Sequence, residues 1–258
     1  MELRRCFFVW VIMAGLLLLS FALPGQAQAV SITVVFGEVQ TRGTGGASDE
    51  FIEIYNLSGT TVNIGNYKIR YRPCDGASLY TLFTFTAGEA LMPYQHFLIT
   101  GGGYNGTVAG NGTISRSSGD CGQLQLQDAS NNPIDTLVYT WSGSTQPTGG
   151  WVGIEGEDYD ANPHDNTTST NQDTSMARKP DTLSQAGGHK NGQDTDNNSS
   201  DFLTTSTSSP ENRDSPTAII LHKFSGRSND HTLDTLVLFW FALPVLGLGI
   251  YRLLRRSL

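Results

Sequence analysis

Residues 51–57, Phe51-Ile-Glu-Ile-Tyr-Asn-Leu57, are the stretch whose reading decides the fold. At a period of two, Phe51, Glu53 and Tyr55 share one face, and Ile52, Ile54 and Asn56 share the other. Each face carries apolar side chains, so the pattern is that of a strand buried on most of both sides. Downstream, residues 67–72 (YKIRYR) alternate, with Tyr67, Ile69 and Tyr71 set against Lys68, Arg70 and Arg72. Residues 32–39 (ITVVFGEV), 79–85, 96–100, 123–127 and 134–141 are further short β-branched or aromatic runs, and Asn131-Asn132-Pro133 reads as a turn between the last two. Short strands at this spacing predict an all-β chain folded as an antiparallel β-sandwich.

Composition agrees with that class. The 258 residues include 29 glycines and many Ser, Thr and Asn, and only 16% are charged, against roughly 25% in ordinary soluble domains. The net charge is −8 and the pI about 5.0. Binding to a nucleic-acid backbone needs a basic footprint, so no direct nucleic-acid binding is expected.

The two ends predict an address. Arg4 and Arg5 precede an apolar run from Cys6 to Leu23, and Ala27-Gln28-Ala29 supplies a small-x-small cleavage pattern. Residues 1–29 therefore read as a signal peptide. Near the other end, residues 235–251 (TLVLFWFALPVLGLGIY) carry no charge and are followed by Arg252, Arg255 and Arg256. Residues 233–254 are long enough for one transmembrane helix, and the arginines place residues 255–258 as a basic cytoplasmic tail. The expected localisation is a single-pass cell-membrane protein with residues 30–213 outside, possessing a linker at 214–232. From Val30 to Thr232 there are 11 Lys+Arg against 22 Asp+Glu, so the expected exported part is strongly acidic. Cys6 leaves with the signal peptide, and the remaining pair, Cys74 and Cys121, forms either one disulfide or two free thiols. Export to an oxidising compartment points to the disulfide.

Several motifs in order resemble the lamin-tail domain family. They are Gly37-Glu38-Val39, then Asp49-Glu50-Phe51-Ile52-Glu53-Ile54-Tyr55-Asn56, then Ile64-Gly65-Asn66-Tyr67-Lys68-Ile69. Residues 91–99 resemble that family's proline-then-strand step, and residues 124–139 its late hairpin. Residues 175–179, 194–202 and 210–212 are similar to the closing segment of exported bacterial members. The resemblance implies an immunoglobulin-like β-sandwich over residues 30–213. It also bears on residues 158–212, whose Asn, Asp, Ser, Thr and Gly read by composition as flexible loop or stalk. The resemblance implies instead that residues 175–212 pack on the sandwich, with Met176 and Phe202 as apolar anchors.

Candidate chemistry is sparse. Asp194, Asp196, Asn198 and Asp201 recur at the spacing of hard oxygen ligands and form a candidate calcium set. Ser199 stands where an EF-hand loop needs glycine and Thr205 where it needs glutamate, so that loop type is excluded, and turn capping by Asp and Asn is the expected role. Glu155, Glu157, Asp158 and Asp160 form a second acidic cluster that offers metal ligands or a paired general acid and base, with a solvated loop as the expected role. His96, His164, His189, His222 and His231 have no partner at ligand or triad spacing, and His96 is expected in a structural role within a strand. Glu50 and Glu53 are expected to hydrogen-bond structurally at a sandwich edge. Asn56, Asn105, Asn111, Asn166, Asn197 and Asn198 head Asn-x-Ser/Thr triplets, which matter only in a glycosylating host. No catalytic residue and no cofactor is expected. The expected function is a non-enzymatic, membrane-anchored surface module with a protein or glycan partner. The alternative is an accessory module of an extracellular nuclease or hydrolase system.

Overall fold

The computed structural model describes residues 33–76, 78–144, 151–181 and 191–215. The expected signal peptide (1–29), transmembrane helix (233–254) and basic tail (255–258), and nearly all of the linker, lie outside the described residues. Among the described residues no helix is long and apolar enough to cross a membrane.

The architecture is all-β. The strands are β1 (Val34–Gln40), β2 (Phe51–Asn56), β3 (Val62–Asn63), β4 (Lys68–Pro73), β5 (Tyr80–Thr84), β6 (Ala90–Leu91), β7 (His96–Thr100), β8 (Gly112–Thr113), β9 (Gly122–Gln127), β10 (Pro133–Tyr139), β11 (Met176–Arg178) and β12 (Phe202–Thr204). A one-turn helix α1 (Asn198–Asp201) precedes β12. One sheet has six strands in the order β12-β11-β1-β2-β7-β8, a second has four in the order β10-β9-β4-β5, and β3 pairs with β6. Every pairing between these strands is antiparallel except β7 with β8, which is parallel.

The apolar positions that defined the strands meet in one core. Val34, Phe36, Ile52, Ile54, Phe97 and Ile99 from the first sheet join Ile69, Tyr71, Leu82, Leu124, Leu126, Leu137 and Tyr139 from the second. Continuous burial of this kind removes apolar surface from water at roughly 25 cal/mol per Å². β2 lies between β1 and β7, and all six of its residues are buried, as its two-faced pattern implies. Glu53 therefore belongs to an interior strand rather than a sandwich edge, and its carboxylate is hydrogen-bonded inside the protein. The alternation of residues 67–72 also needs correcting at one position. Arg72 is buried, because its Nε turns back to donate to Gly76 O at 3.1 Å. Cys74 and Cys121 are joined by a disulfide, with Cα atoms 5.5 Å apart, beside the end of the β4–β9 pair.

The compositional reading of residues 158–212 as loop or stalk fails at residues 175–179 and 198–204. β11 pairs with β1, β12 pairs with β11, and Met176 and Phe202 enter the core. This polar segment can be buried because its side chains find partners: Ser175, Arg178, Asn198 and Asp201 are each almost wholly inaccessible and hydrogen-bonded. Buried polar groups are tolerated on that condition.

The same segment closes the free side of β10. The backbone N–H of Thr136 donates to Glu155 Oε1 at 2.8 Å, that of Val138 to Asn198 Oδ1, and that of Thr140 to the Tyr159 carbonyl at 2.9 Å. Asn198 Nδ2 also donates to the Thr136 carbonyl at 2.9 Å. Side chains here stand in for a missing neighbouring strand.

Candidate functional site

Among the described residues, a dense group of ionisable side chains lies where the two sheets meet, beside β1. The register of β1 on β2 shifts between Phe36 and Glu38, making Gly37 a bulge residue. Phe36 N donates to Asp135 Oδ2 on β10 at 2.5 Å, and Phe36 O accepts from Arg178 Nε on β11 at 2.8 Å. Arg178 is fully buried, and its Nη2 reaches both Asp135 oxygens at 2.9 Å. Its Nη1 donates to Gln193 O at 2.9 Å and to Asp194 Oδ1 at 3.3 Å, with Asp201 Oδ2 3.7 Å away. The ring of Phe202 lies under the guanidinium, 4.7 Å from Cζ to the centroid.

Carboxylates outnumber cations in this group. One oxygen from each of Asp135, Glu155 and Asp194 lies within 4.8 Å of the others. Burial, with the Asp135 charge next in importance, pushes the Glu155 carboxyl far above its ordinary range. Burial also raises Asp194 to about 6, against the pull of Arg178. For Arg178 burial disfavours the charge, but Asp135, Asp194 and Asp201 outweigh it and hold the guanidinium protonated.

The candidate calcium set is not brought together as the linear spacing suggested. Asn198 is committed to the β10 backbone. Asp201 accepts from Thr195 N at 2.9 Å and Thr195 Oγ1 at 2.8 Å, the turn-capping role expected of it. Asp196 is half-buried with φ of 54°, and Asp194 turns toward Asp135 and Glu155. The second acidic cluster divides as well. Glu157 and Asp160 are exposed and Asp158 is half-buried, but Glu155 is 4% exposed. The expectation of a solvated loop fails at Glu155 because its Oε1 is the acceptor for Thr136 N. Sequence reasoning passed over Asp135 and Arg178. The available signal was an aspartate set within the apolar run Ile134-Asp135-Thr136-Leu137-Val138.

The other singled-out residues serve the frame. His96 Nδ1 lies 2.8 Å from Glu53 Oε1, its Nε2 lies 3.3 Å from Glu211 Oε2, and its ring stacks on Tyr55. Asn191 Nδ2 and Glu211 N also donate to the Glu53 carboxylate, at 3.1 and 2.6 Å. Glu53 therefore ties the C-terminal segment to the central strand. His164 places its two ring nitrogens at Thr170 O and Thr174 O, 2.7 and 3.0 Å away. Glu50 Oε2 accepts from Ser118 N and Oγ at 2.9 and 2.7 Å. His189, His222 and His231 lie outside the described residues.

A surface cleft of about 470 Å³ opens elsewhere on the protein, beside β1 and the 104–108 loop. Tyr104, Asn105, Asp49 and Asp173 line it with Gln40 and Ser208. Asp49 is held by Gly45 N at 2.8 Å and Asn105 N at 3.0 Å, and Tyr104 packs edge-on to Phe51. The Tyr104 hydroxyl has no hydrogen-bond partner among the described residues.

The Lamin Tail Domain family model matches residues 27–141. The chain carries a lamin-tail domain. The match runs from before β1 to just past β10, so β11, α1, β12, Glu155 and Arg178 lie beyond the matched part of the lamin-tail domain while completing its first sheet and its β10 edge. Among solved structures, a DUF4876 family protein from Bacteroides thetaiotaomicron VPI-5482 is similar at 12% identity and a TM-score of 0.40, over 68% of this chain and 71% of that one. None of the curated proteins matches the sequence.

Proposed function

We propose that the chain is a non-enzymatic lamin-tail module of immunoglobulin-like type, exported and held to a membrane by residues 233–254, whose polar cleft binds a glycan at the cell surface. The cleft around Tyr104 carries this reading. Its volume of about 470 Å³ lies within the ~300–1,000 Å³ of small-molecule sites. An aromatic ring bearing a hydroxyl, two carboxylates and an amide line it, a set that can meet both the apolar faces and the hydroxyl groups of a sugar. The histidines and acidic residues with a capacity for acid–base work favour a non-enzymatic role through their partners, since Glu53, His96 and His164 hold strands and turns together.

The test is a panel of oligosaccharides presented to the purified full chain and to Tyr104→Ala and Asp173→Asn variants. A bound glycan whose affinity falls at least tenfold in both variants supports the proposal. Absence of binding across the panel, or binding that survives both substitutions, defeats the glycan assignment. A reporter active only in the cytoplasm, fused after Leu258, tests the anchor: a well-expressed but silent fusion counts against it.

A further inference from the structure

We propose that Asp135, Glu155 and Asp194 form a binding site for one calcium ion. The first observation is the convergence of their oxygens to within 4.8 Å of one another. Calcium takes oxygen ligands at about 2.3–2.6 Å, so two ligands on opposite sides of one ion stand roughly 4.6–5.2 Å apart. Three oxygens confined to 4.8 Å therefore fit one shell without rearrangement of the backbone. Magnesium dehydrates reluctantly, keeps several waters and is usually held by one or two carboxylates, so a site of three protein carboxylates suits calcium better.

The second observation is independent of the clustering. Glu155 Oε2, Asp194 Oδ2 and Asp196 Oδ1 are buried atoms with no hydrogen-bond partner among the described residues. Glu155 is 4% exposed and the Asp194 side chain likewise 4%. A carboxyl oxygen taken out of water and left without a partner is costly. Neighbouring Asp201, by contrast, accepts bonds at both oxygens. Two of these unmatched oxygens, on Glu155 and Asp194, belong to residues that converge, and both of those residues have their other oxygen fixed. Thr136 N holds Glu155 Oε1, and Arg178 Nη1 holds Asp194 Oδ1. Asp135 is pinned by Arg178 and by Phe36 N. The ligands are thus oriented in advance by partners behind them, as supporting groups do in metal sites.

Charge points the same way. Asp135, Glu155, Asp194 and Asp201 face one guanidinium, that of Arg178. A divalent ion brings the group close to neutrality. Carboxylate oxygens are the ligand class that hard cations prefer. The ligands come from β10, from the loop at 155 and from the segment before α1, three parts of the chain that no linear motif joins.

The experiment is calorimetric titration of the chelator-treated full chain with calcium chloride and, separately, magnesium chloride, alongside thermal melts. Extracellular calcium sites bind at about 10⁻⁴–10⁻³ M, so titration to tens of millimolar covers the range. The expected result is one calcium per chain and a melting temperature that climbs with calcium concentration. Glu155→Gln and Asp194→Asn each weaken binding at least tenfold, and Glu157→Gln on the exposed part of the same loop does not. Glu155→Gln also copies the shape of a protonated glutamate and keeps the bond to Thr136 N, so it guards against loss of fold. Absence of any calcium effect in the parent chain overturns the proposal and leaves shared protons as the neutralising agent. An effect that survives Glu155→Gln, or a magnesium effect equal to that of calcium, overturns it too.

Discussion

Arg178 Nη2 and the Asp135 carboxylate face each other at 2.9 Å with neither side chain accessible to solvent. The pair links β11 of the six-stranded sheet to β10 of the four-stranded one, and Phe36 supplies both a donor and an acceptor between them. Removing one partner of such a pair strands the other in a dry environment. Arg178→Ala is therefore expected to cost about 3–5 kcal/mol of stability. Urea denaturation measures this, and a loss below about 1 kcal/mol would show the pair to be dispensable.

Gly37 tests the bulge in β1. A Cβ added there would stand 2.5 Å from Glu53 Oε1 and 3.2 Å from Asn191 Nδ2. Relief requires Glu53 to leave His96 and Asn191, the contacts that hold the C-terminal segment. Gly37→Ala is expected to destabilise by about 1–3 kcal/mol, the usual cost of overpacking, and to speed proteolysis after residue 191. Unchanged stability with unchanged cleavage would refute the argument.

The Cys74–Cys121 bridge closes a loop with a sequence separation of 47. In the chain-entropy model a loop of that length contributes about 4 kcal/mol. Cys74→Ser with Cys121→Ser should lower the melting temperature accordingly. Thiol labelling of the denatured, unreduced chain checks the bond itself, and free Cys74 and Cys121 there would contradict it.

Glu50 sets a pH dependence whose sign is determinate. Burial raises its pKa above 4.5, the Ser118 hydrogen bonds oppose that, and the Asp120 charge adds to it. The unfolded chain gives up this proton near 4.5 while the folded chain keeps it to higher pH. Stability from this group is thus complete below 4.5 and is lost as pH rises through the folded value. Asp194 and Asp196, also raised, contribute with the same sign. Glu50→Gln should flatten the slope of unfolding free energy above pH 4.5, as followed by urea titrations. An identical slope in the variant would eliminate Glu50 as a contributor.

Legibility in the sequence tracks element length and the nature of what is buried. β2, β4, β7, β9 and β10 run for five to seven residues, enough for a period of two to register. β3, β6 and β8 have two residues each, too few to carry any period. β11 and β12 are three residues long and sit in a polar stretch whose order comes from hydrogen bonds, which composition does not reveal. Resemblance to lamin-tail sequences, not composition, pointed to the packing of Met176 and Phe202. The carboxylate group was the hardest to see. Asp135 and Arg178 are 43 residues apart, and Glu155 reads as surface until Thr136 N is seen to need an acceptor. Asp194 and Glu155 each belonged to a candidate cluster, and each was grouped with sequence neighbours instead of with the residues that it meets in space.

The side-chain caps along β10 have a consequence for self-association. A seven-residue strand at the margin of a sheet is a template on which another chain can add. Glu155, Asn198 and Tyr159 occupy the donors such a chain would use. Proteolytic loss of residues 151–201, or excision of the domain at residue 141, would bare that margin in every molecule at once. The expected outcome is aggregation growing from β10, read as rising light scattering after cleavage, and a clear solution of the cleaved domain would contradict a protective role for the polar segment.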